Sequence, residues 1–388
     1  MFIYISIFLI TLIYYYLTQN SAAKHDPNIL GWYLFGISLF VGLGDMIGGY
    51  DRYIYGEMFD SIADETWGNR NYADVLYLKQ GIEWGYFLWE ILLSFITRNR
   101  YIFILLTTFL IYYLLFKSFK KYISNYPLAC IVFMAFFYYF TMTYLREVIA
   151  VVIAWQGVKY IWERKAWKFF AIIALAATFH GSIAIFAIMY FIPLKKFSKR
   201  QIIYFLLLCL ILGMTPLPMW FISVGIDATG KNGDDYLDQD QGFRIEYVFE
   251  VLFIVWFIFR NYKSITNDRK TLTFLNMSYA LCGVLLVFMR FGQGGRFGWP
   301  FFLGIFYMFS NLSLKTKIAK NMRSALLVVC LALFLRLTFS WESLLTPYKT
   351  FLTNGIPSSY MIYSQFEYDD HYTINKLYRP VLAFSNIN

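Results

Sequence analysis

An arginine and a glutamate stand side by side within one of the most apolar stretches of the chain. Arg146 and Glu147 interrupt the run that joins ACIVFMAFFYYF (129–140) to VVIAWQGVKYIW (151–162). A charge at bilayer depth is expensive, so such residues usually face a cavity or a charged partner. Arginine is always charged, and its planar fork of donors suits phosphate oxygens. Arg146 is therefore either an anion-binding residue or an arginine that snorkels or pairs within its own helix.

A histidine occupies a second apolar run, in the sequence Phe179-His180-Gly181-Ser182. A neutral imidazole can position or deprotonate a hydroxyl group. The glycine that follows would permit a ligand or another backbone to approach closely. The alternative is a structural histidine that only completes a hydrogen bond.

Two arginines bracket a glycine-rich turn in RFGQGGRFGWPFF (290–302). The backbone N–H groups of such a turn, together with Arg290 and Arg296, would form an anion site. The lysine and hydroxyl residue of a nucleotide-binding phosphate loop are absent. The alternative is an ordinary turn between two helices with snorkelling ends.

Acidic residues and tyrosines alternate in GDMIGGYDRYIYGEMFD (44–60). Asp51, Tyr55 and Phe59 are four positions apart, so a helix would place them on one face. Such a face could grip sugar hydroxyls, and Asp51 is expected to be largely solvated. The alternative is a solvated amphipathic helix.

The elements that must position these residues are membrane helices. The chain has 388 residues, of which 59% are hydrophobic and 15% charged, and this composition excludes a soluble domain. The formal net charge of +10 indicates an excess of lysine and arginine in cytoplasmic loops rather than nucleic-acid binding. The four cysteines lie in apolar segments and have no metal-binding spacing, so neither a metal nor another cofactor is expected.

Basic clusters and hydropathy predict a single integral membrane domain over 1–388 with about ten full spans and both termini outside. The full spans are predicted at 1–18, 29–43, 101–116, 127–145, 147–162, 201–222, 245–262, 271–290, 297–312 and 323–340. The first of these lacks a cleavage site and is expected to be retained. Two segments, 83–97 and 168–192, are predicted to be partial, the second as a re-entrant hairpin turning near His180. External loops are expected at 44–82 and 223–244, with an external tail at 341–388.

The order of these motifs resembles the EpsG-like branch of the bacterial Wzy-type O-antigen and exopolysaccharide polymerases. The resemblance covers about residues 40–350, in the motifs GGYDRYIYGEMF, EWGYFLWEIL, LREVIAVVIA, FHGSIAI, GGRFGWPFF and TPY. Trp84 stands where that family usually has proline, and Glu147 stands where it usually has glutamine.

The resemblance implies a GT-C-like fold and a reaction between two lipid-linked glycans at the outer face of the bacterial inner membrane. A hydroxyl of a repeat unit on undecaprenyl pyrophosphate would attack the anomeric carbon of the growing glycan, and undecaprenyl pyrophosphate would leave. Besides these lipids and the bilayer, a chain-length regulator is a candidate partner. The implied pyrophosphate-binding residues are Arg146, Arg290 and Arg296, and the implied sugar-binding residues are Tyr55, Glu83 and Tyr348. His180 is favoured as the base, with Asp51 orienting the sugar.

Three other functions remain open. An O-antigen ligase would use the same arginines. A flippase for the same lipid would need charges through the whole bilayer depth. A membrane acyltransferase would need His180 open to the cytoplasm.

Overall fold

The structure is a computed structural model, and it describes residues 1–45, 50–68, 75–76, 83–227, 242–313, 320–346, 348–352 and 379–383. Within these residues the regular structure is helical, and β pairing is confined to one bridge between Gly44 and Thr350. The all-α prediction is confirmed to that extent. Most of the predicted external loop at 223–244 and most of the tail at 341–388 lie outside the described residues, so their external placement stays a prediction.

Most predicted spans correspond to helices, and several are in two pieces. The α-helices are α1 (Phe2–Thr18), α2 (Pro27–Leu43), α3 (Tyr50–Trp67), α4 (Trp84–Ser94), α5 (Arg100–Tyr122), α6 (Tyr126–Phe136), α7 (Phe140–Thr143), α8 (Leu145–Gly157), α9 (Lys159–Trp162), α10 (Ala166–Ala177), α11 (Lys199–Gly213), α12 (Leu217–Asp227), α13 (Ile245–Arg260), α14 (Arg269–Val287), α15 (Phe302–Leu312), α16 (Lys320–Ser340) and α17 (Glu342–Leu345). Short 3-10 helices span Ala22–His25, Gly181–Tyr190, Tyr262–Ser264 and Gly294–Phe301.

Polar side chains define where several of these helices begin. Asp26, Asn99 and Asp268 accept hydrogen bonds from backbone N–H groups in the first turns of α2, α5 and α14. Ser198 and Gln201 form a reciprocal capping box at the start of α11. These caps satisfy N–H groups that have no partner within the helix.

The described residues include three helices that are long and apolar enough to cross a membrane. These are α5, α14 and residues 321–340 of α16, and α11 with α12 would add a fourth span if the 67° bend between them is counted within it. Others, such as α1, α2 and α6, are apolar but shorter. The chain is thus a helical membrane protein, while the count of ten spans stays a prediction.

One predicted span is broken without a glycine or proline to mark the break. The 127–145 segment forms α6 and α7, which are separated at Phe137–Tyr139. Aromatic residues fill this stretch, and their helix propensity is modest. The chain turns again at Tyr144, so the following charged residues begin a new helix, α8.

The 168–192 segment folds back on itself at the predicted position. Its first arm, α10, ends at Ala177, and the 3-10 helix that follows begins at Gly181, so His180 lies in the turn. The rings of Phe169 and Tyr190 stack with centroids 5.7 Å apart, which brings the two ends of the hairpin together. Its entry into the membrane stays a prediction.

The chain forms two compact units. The first contains Met1–Gln156, Ala171–Ala184 and Ser324–Asn388, and the second contains Gly157–Phe170 and Ile185–Arg323. Helix α6 lies in the core of the first unit, because each of its residues is buried. In the second unit α14 and α15 pack closely at Gly304, where an added Cβ would lie 2.7 Å from the backbone nitrogen of Ser278. The prediction of a single domain is not tested by this division.

A buried arginine fixes the position of α3 in the first unit. Arg52 is fully buried, and its Nη2 donates to the carbonyl oxygens of Val41 (2.9 Å) and Gly44 (2.8 Å), at the end of α2. Its Nη1 donates to the carbonyl oxygen of Met142, at 3.1 Å, beside the break before α8. One guanidinium thereby satisfies helix-end carbonyls that have no partner within their helices. It also holds Tyr55, on the same helix, close to Arg146 at the start of α8.

Candidate functional site

Arg146 and Glu147 lie in the first turn of α8 rather than in the middle of a long helix. The helix dipole places partial positive charge at this end, which stabilises the Glu147 carboxylate and adds to the positive potential around Arg146. Such a position is suited to anions, because free backbone N–H groups and the dipole act in the same sense. The break at Tyr144 therefore explains why a charged pair is tolerated here.

Arg146 pairs with a carboxylate from a distant part of the chain. Its Nη1 donates to Glu83 Oε2 at 2.8 Å, and its guanidinium lies 5.3 Å from the centre of the Tyr55 ring. The side chains of Arg146 and Glu83 are 20% and 23% exposed, so the pair remains accessible. Arg146 is therefore paired with a carboxylate from outside its own helix, and its role as an anion-binding residue stays a prediction.

His180 is connected to Glu147 through a serine hydroxyl. Ser182 Oγ donates to Glu147 Oε1 at 2.9 Å and lies 2.8 Å from His180 Nδ1. Because the single hydroxyl proton points to the carboxylate, Ser182 must accept from His180, which puts the imidazole proton on Nδ1. The neutral ring then carries its lone pair on Nε2. Glu147 is 4% exposed and His180 24%, so the chain of bonds runs from the interior to an accessible base.

A close backbone contact joins the start of α4, next to Glu83, to the turn that carries His180. The N–H of Gly85, in the first turn of α4, donates to the carbonyl oxygen of Thr178 at 2.7 Å. An added Cβ at Gly85 would lie 2.2 Å from Thr178 Oγ1, so only glycine fits. At Gly181, by contrast, an added Cβ would meet nothing within 4 Å. The protein itself thus gives no steric reason for that glycine.

Two polar side chains lie deeper on α4. Glu90 is fully buried, and neither of its carboxylate oxygens has a hydrogen-bond partner. The hydroxyl of Tyr86 is also buried without a hydrogen-bond partner, and the centroids of the Tyr86 and Tyr55 rings are 5.6 Å apart. With 11 residues, α4 is too short to span a bilayer. Burial raises the pKa of the Glu90 carboxyl well above its usual range, and the charge of Arg146 opposes the rise.

The face of α3 that carries Asp51, Tyr55 and Phe59 packs inward. Tyr55 is 6% exposed, and the Phe59 ring stacks on that of Phe103 with centroids 4.3 Å apart. Asp51 is half-buried, whereas the sequence had suggested a largely solvated carboxylate. The alternative of a solvated amphipathic helix is therefore wrong for this face, because packing against α5 covers it.

Tyr348 lies against α2. Its ring stacks on Phe40 with centroids 4.2 Å apart, and its hydroxyl donates to the Phe40 carbonyl oxygen at 3.0 Å. Burial raises the pKa of the Tyr348 hydroxyl to about 12, against the opposing charge of Arg52, so the hydroxyl stays a donor at neutral pH. These contacts give Tyr348 a packing role beside any role in sugar binding.

The glycine-rich turn lies in the second unit and gathers another arginine. Arg290 Nη1 donates to the Met214 carbonyl oxygen at 3.3 Å. Arg244 donates from its backbone N–H to Met289 at 2.9 Å and from Nη2 to Gly292 at 3.2 Å. Two guanidiniums thus flank the start of the turn, and the sequence had singled out only one of them.

Arg296 follows the same turn, with its guanidinium 5.9 Å from the centre of the Trp299 ring. Arg296 therefore belongs to the second unit, as does Arg290.

The structure brings together Arg146, Glu83, Tyr55 and His180 in the first unit, with Asp51 one helical turn from Tyr55. Sequence reasoning missed Glu147, Ser182, Glu90 and Arg244 as members of these clusters. Glu147 and Glu90 carried a usable signal, as carboxylates within apolar segments.

Within the described ranges, no group of three His, Cys, Asp or Glu side chains is placed to hold a metal ion. The expectation that no cofactor takes part stays a prediction.

The sequence model of the EpsG family matches residues 28–350. No curated protein and no solved structure matches the chain.

Proposed function

The chain belongs to the EpsG family, and on that premise we propose that it is a polysaccharide polymerase that joins lipid-linked repeat units. The observation that carries the proposal is the hydrogen-bonded chain from Glu147 through Ser182 to His180, next to Arg146. This arrangement combines an oriented base with a group for binding a phosphorylated leaving group, and glycosyl transfer from a lipid diphosphate needs both.

His180 acts as the base in the proposed reaction. Its Nε2 takes the proton of the acceptor hydroxyl as the hydroxyl oxygen bonds to the anomeric carbon of the donor. The bond between that carbon and the diphosphate oxygen breaks, and undecaprenyl pyrophosphate leaves with both bonding electrons. Glu147, acting through Ser182, holds the ring in the required tautomer and stabilises the imidazolium that forms.

Arg146 binds the diphosphate by exchanging Glu83 for phosphate oxygens. A partly exposed ion pair contributes roughly 0–1 kcal/mol to stability, so the exchange costs the fold little. The reaction brings two lipid diphosphates to the protein, and Arg290 and Arg296 of the second unit are the other proposed diphosphate ligands. The sugar contacts are assigned to Tyr55, Glu83 and Tyr348, with Asp51 orienting the acceptor.

The proposed setting is the bacterial inner membrane, with ten spans in a GT-C-like arrangement and the site facing the exterior. The net charge of +10 and the basic segments between apolar helices support this orientation. The proposed partners are the two lipid-linked glycans, the bilayer and a chain-length regulator.

The test is a reconstituted assay on undecaprenyl-pyrophosphate-linked repeat units. Wild-type protein should produce a ladder of polymer without any lipid-core acceptor, whereas a ligase would need that acceptor. His180→Ala should lower the rate by about 10²–10⁴-fold, and the fall in rate on acidification should disappear. His25→Ala, which removes a histidine hydrogen-bonded to the backbone carbonyl of Ser124, is the matched control.

Arg146→Ala should abolish elongation while the protein still accumulates. Arg146→Lys should recover little, because a point charge does not reproduce a bidentate fork. Arg98→Lys, at a partly exposed arginine 4.0 Å from Asp64, is the control and should remain active. Polymer formation by His180→Ala and Arg146→Lys at the wild-type rate would overturn the proposal.

A further inference from the structure

The second unit contains an apolar groove of about 610 Å³ between α11 and α14. Along α14 it is lined by residues from Asn276 to Val287, which rise by about 16 Å, and Phe288 follows directly after the helix. Along α11 it is lined by residues from Gln201 to Cys209. The groove therefore follows two helices along most of their common length.

The wall that completes the groove comes from the end of the hairpin, and it is almost entirely aliphatic. Ile185, Ile188 and Ile192 form this wall. Ile188 is 54% exposed and Phe205, on the opposite side, is 41% exposed, so the groove opens to the surroundings of the protein. Helix α14 is one of the helices able to cross a membrane, so these surroundings are hydrocarbon. A hydrocarbon chain is the occupant that such a lining accepts without leaving polar groups unpaired.

Glycine keeps the groove open where the two helices approach each other. An added Cβ at Gly283 would lie 2.8 Å from the Phe205 ring and 3.3 Å from Cys209 Sγ. At the end of α11, an added Cβ at Gly213 would lie 1.9 Å from the carbonyl oxygen of Leu286. The helices are thus in direct contact at Gly213, and the groove lies between this contact and the start of α11.

Positive charge marks the Gly213 end of the groove. Arg290 follows the lining residue Phe288 by two positions, and its Nη1 bonds to the carbonyl oxygen of Met214, directly after Gly213. Arg244 is tied to the same turn through Met289 and Gly292, and its Nη1 lies 3.7 Å from Glu246 Oε1 in a partly exposed ion pair. Two guanidiniums at one end of a hydrocarbon groove match a lipid with a strongly anionic head.

The other end of the groove also carries basic residues, but their contacts differ. Lys196 donates to the Ile265 carbonyl oxygen at 2.9 Å, and its ammonium lies 4.7 Å from the centre of the Tyr262 ring. The ammonium of Lys199 lies 5.3 Å from the centre of the Phe259 ring. Lysine is a point charge, whereas arginine offers the fork that suits two adjacent phosphates. The arginine end is therefore the one that fits a diphosphate.

We propose that this groove binds the hydrocarbon chain of a polyisoprenyl diphosphate, with the diphosphate held by Arg244 and Arg290. The identity of the lipid rests on the proposed function, while the groove and its arginines stand on their own geometry. A single groove suits one chain rather than the paired chains of a phospholipid. The groove is long enough only for the part of the hydrocarbon chain next to the diphosphate, and the remainder of that hydrocarbon chain lies in the bilayer.

The test measures binding of undecaprenyl diphosphate that carries no sugar, with farnesyl diphosphate as the short-chain comparison. Photocrosslinking in nanodiscs of neutral phospholipid gives the readout without any polymerase activity. Ile188→Trp and Ala280→Phe fill the groove and should weaken undecaprenyl diphosphate binding roughly tenfold, because several buried methylenes lose their contacts. Farnesyl diphosphate binding should fall as well, because its short chain is the part next to the head and lies inside the groove.

Ile203→Trp is the matched control, because Ile203 is an exposed residue of α11 outside the groove lining. Arg290→Gln should weaken binding of both diphosphates and leave binding of neutral undecaprenol unchanged. Equal binding by wild type and both filled variants would overturn the proposal. So would full competition by a two-chain anionic phospholipid at equal concentration. Because this binding is measured without sugar, its failure is distinguishable from absence of polymer formation in the reconstituted assay.

Discussion

At the scale of single residues, the serine between His180 and Glu147 provides the most specific test of the site. Ser182→Ala removes both the acceptor for Nδ1–H and the donor to the carboxylate. We expect kcat to fall roughly 10–100-fold, as when an outer partner of a functional histidine is lost, with little change in KM. Ser182→Thr should restore most of the rate because it keeps a hydroxyl.

Glu147→Gln serves as the companion variant. The amide oxygen can still accept from Ser182, but it does not stabilise an imidazolium as a carboxylate does. An intermediate fall in kcat is expected. If Ser182→Ala lowers only the unfolding temperature and leaves turnover per folded molecule intact, the serine has a purely structural role.

Glu90 provides a stability prediction with a defined pH dependence. Its folded-state pKa is raised, so the folded protein keeps a proton that the unfolded chain releases above about pH 4.3. The free energy of unfolding therefore decreases as pH rises from that value toward the folded-state pKa. Glu90→Gln should remove this decrease and make the protein more stable at pH 7, by about 1–3 kcal/mol.

Thermal unfolding in detergent at pH 4 and pH 7 measures the Glu90 effect. The variant and the wild type should differ at pH 7 and coincide near pH 4. Glu57→Gln, at an exposed position of α3, is the control. A Glu90→Gln protein that is less stable at pH 7 would show instead that Glu90 is ionised and stabilised by Arg146.

Individual site residues could be predicted from the sequence, but their connections could not. Arg146 and His180 stand out because polar groups are rare in apolar segments, whereas Glu83 was chosen through the family resemblance. The link from Ser182 to Glu147 joins residues 35 positions apart, and no local pattern encodes it. Glu83 and Arg146 were both chosen as ligands, and the structure adds that they bind each other.

At the scale of elements, the contact between α4 and the His180 turn controls the shape of the site. Gly85→Ala would place a Cβ 2.9 Å from the Thr178 carbonyl carbon and force the two elements apart. A misplacement of catalytic groups by about 1 Å can lower the rate about 10²-fold, so activity should drop sharply. Steady-state rates and unfolding temperature should be measured together.

Gly181→Ala is the matched substitution for this experiment. An added Cβ there meets no protein atom within 4 Å, so the fold should be as stable as the wild type. Full activity of Gly85→Ala would show that the spacing of α4 and the turn is not needed.

The helix boundaries show why the ends of helices are harder to predict than the class of the fold. Hydropathy alone makes 127–145 one span, yet the chain bends at Phe137 and again at Tyr144. Neither position carries a helix breaker, so tertiary packing of aromatic side chains decides the break. The turn at His180, in contrast, was predictable, because a single crossing cannot join two basic clusters that are both expected on the cytoplasmic side.

At the scale of the whole molecule, composition correctly predicts a helical membrane protein, while sidedness still needs a measurement. The four native cysteines are buried, so new ones can be labelled against a low background. Asp235→Cys should react with an impermeant thiol reagent added outside the cell, and Lys195→Cys should react only after permeabilisation. The opposite pattern would place the His180 turn on the cytoplasmic side and remove the basis for an external reaction.

The ion pair between Glu83 and Arg146 also has a consequence for product release. On the proposed function, each cycle releases a lipid diphosphate. If Arg146 bound this product tightly, the product would inhibit the next cycle. Glu83 is attached to the same chain, so its effective concentration at Arg146 stays constant however much product accumulates. It acts as a built-in competitor that reclaims the guanidinium after every transfer. Removing that carboxylate should give a protein that captures diphosphates more tightly, frees them more slowly and stalls after few additions.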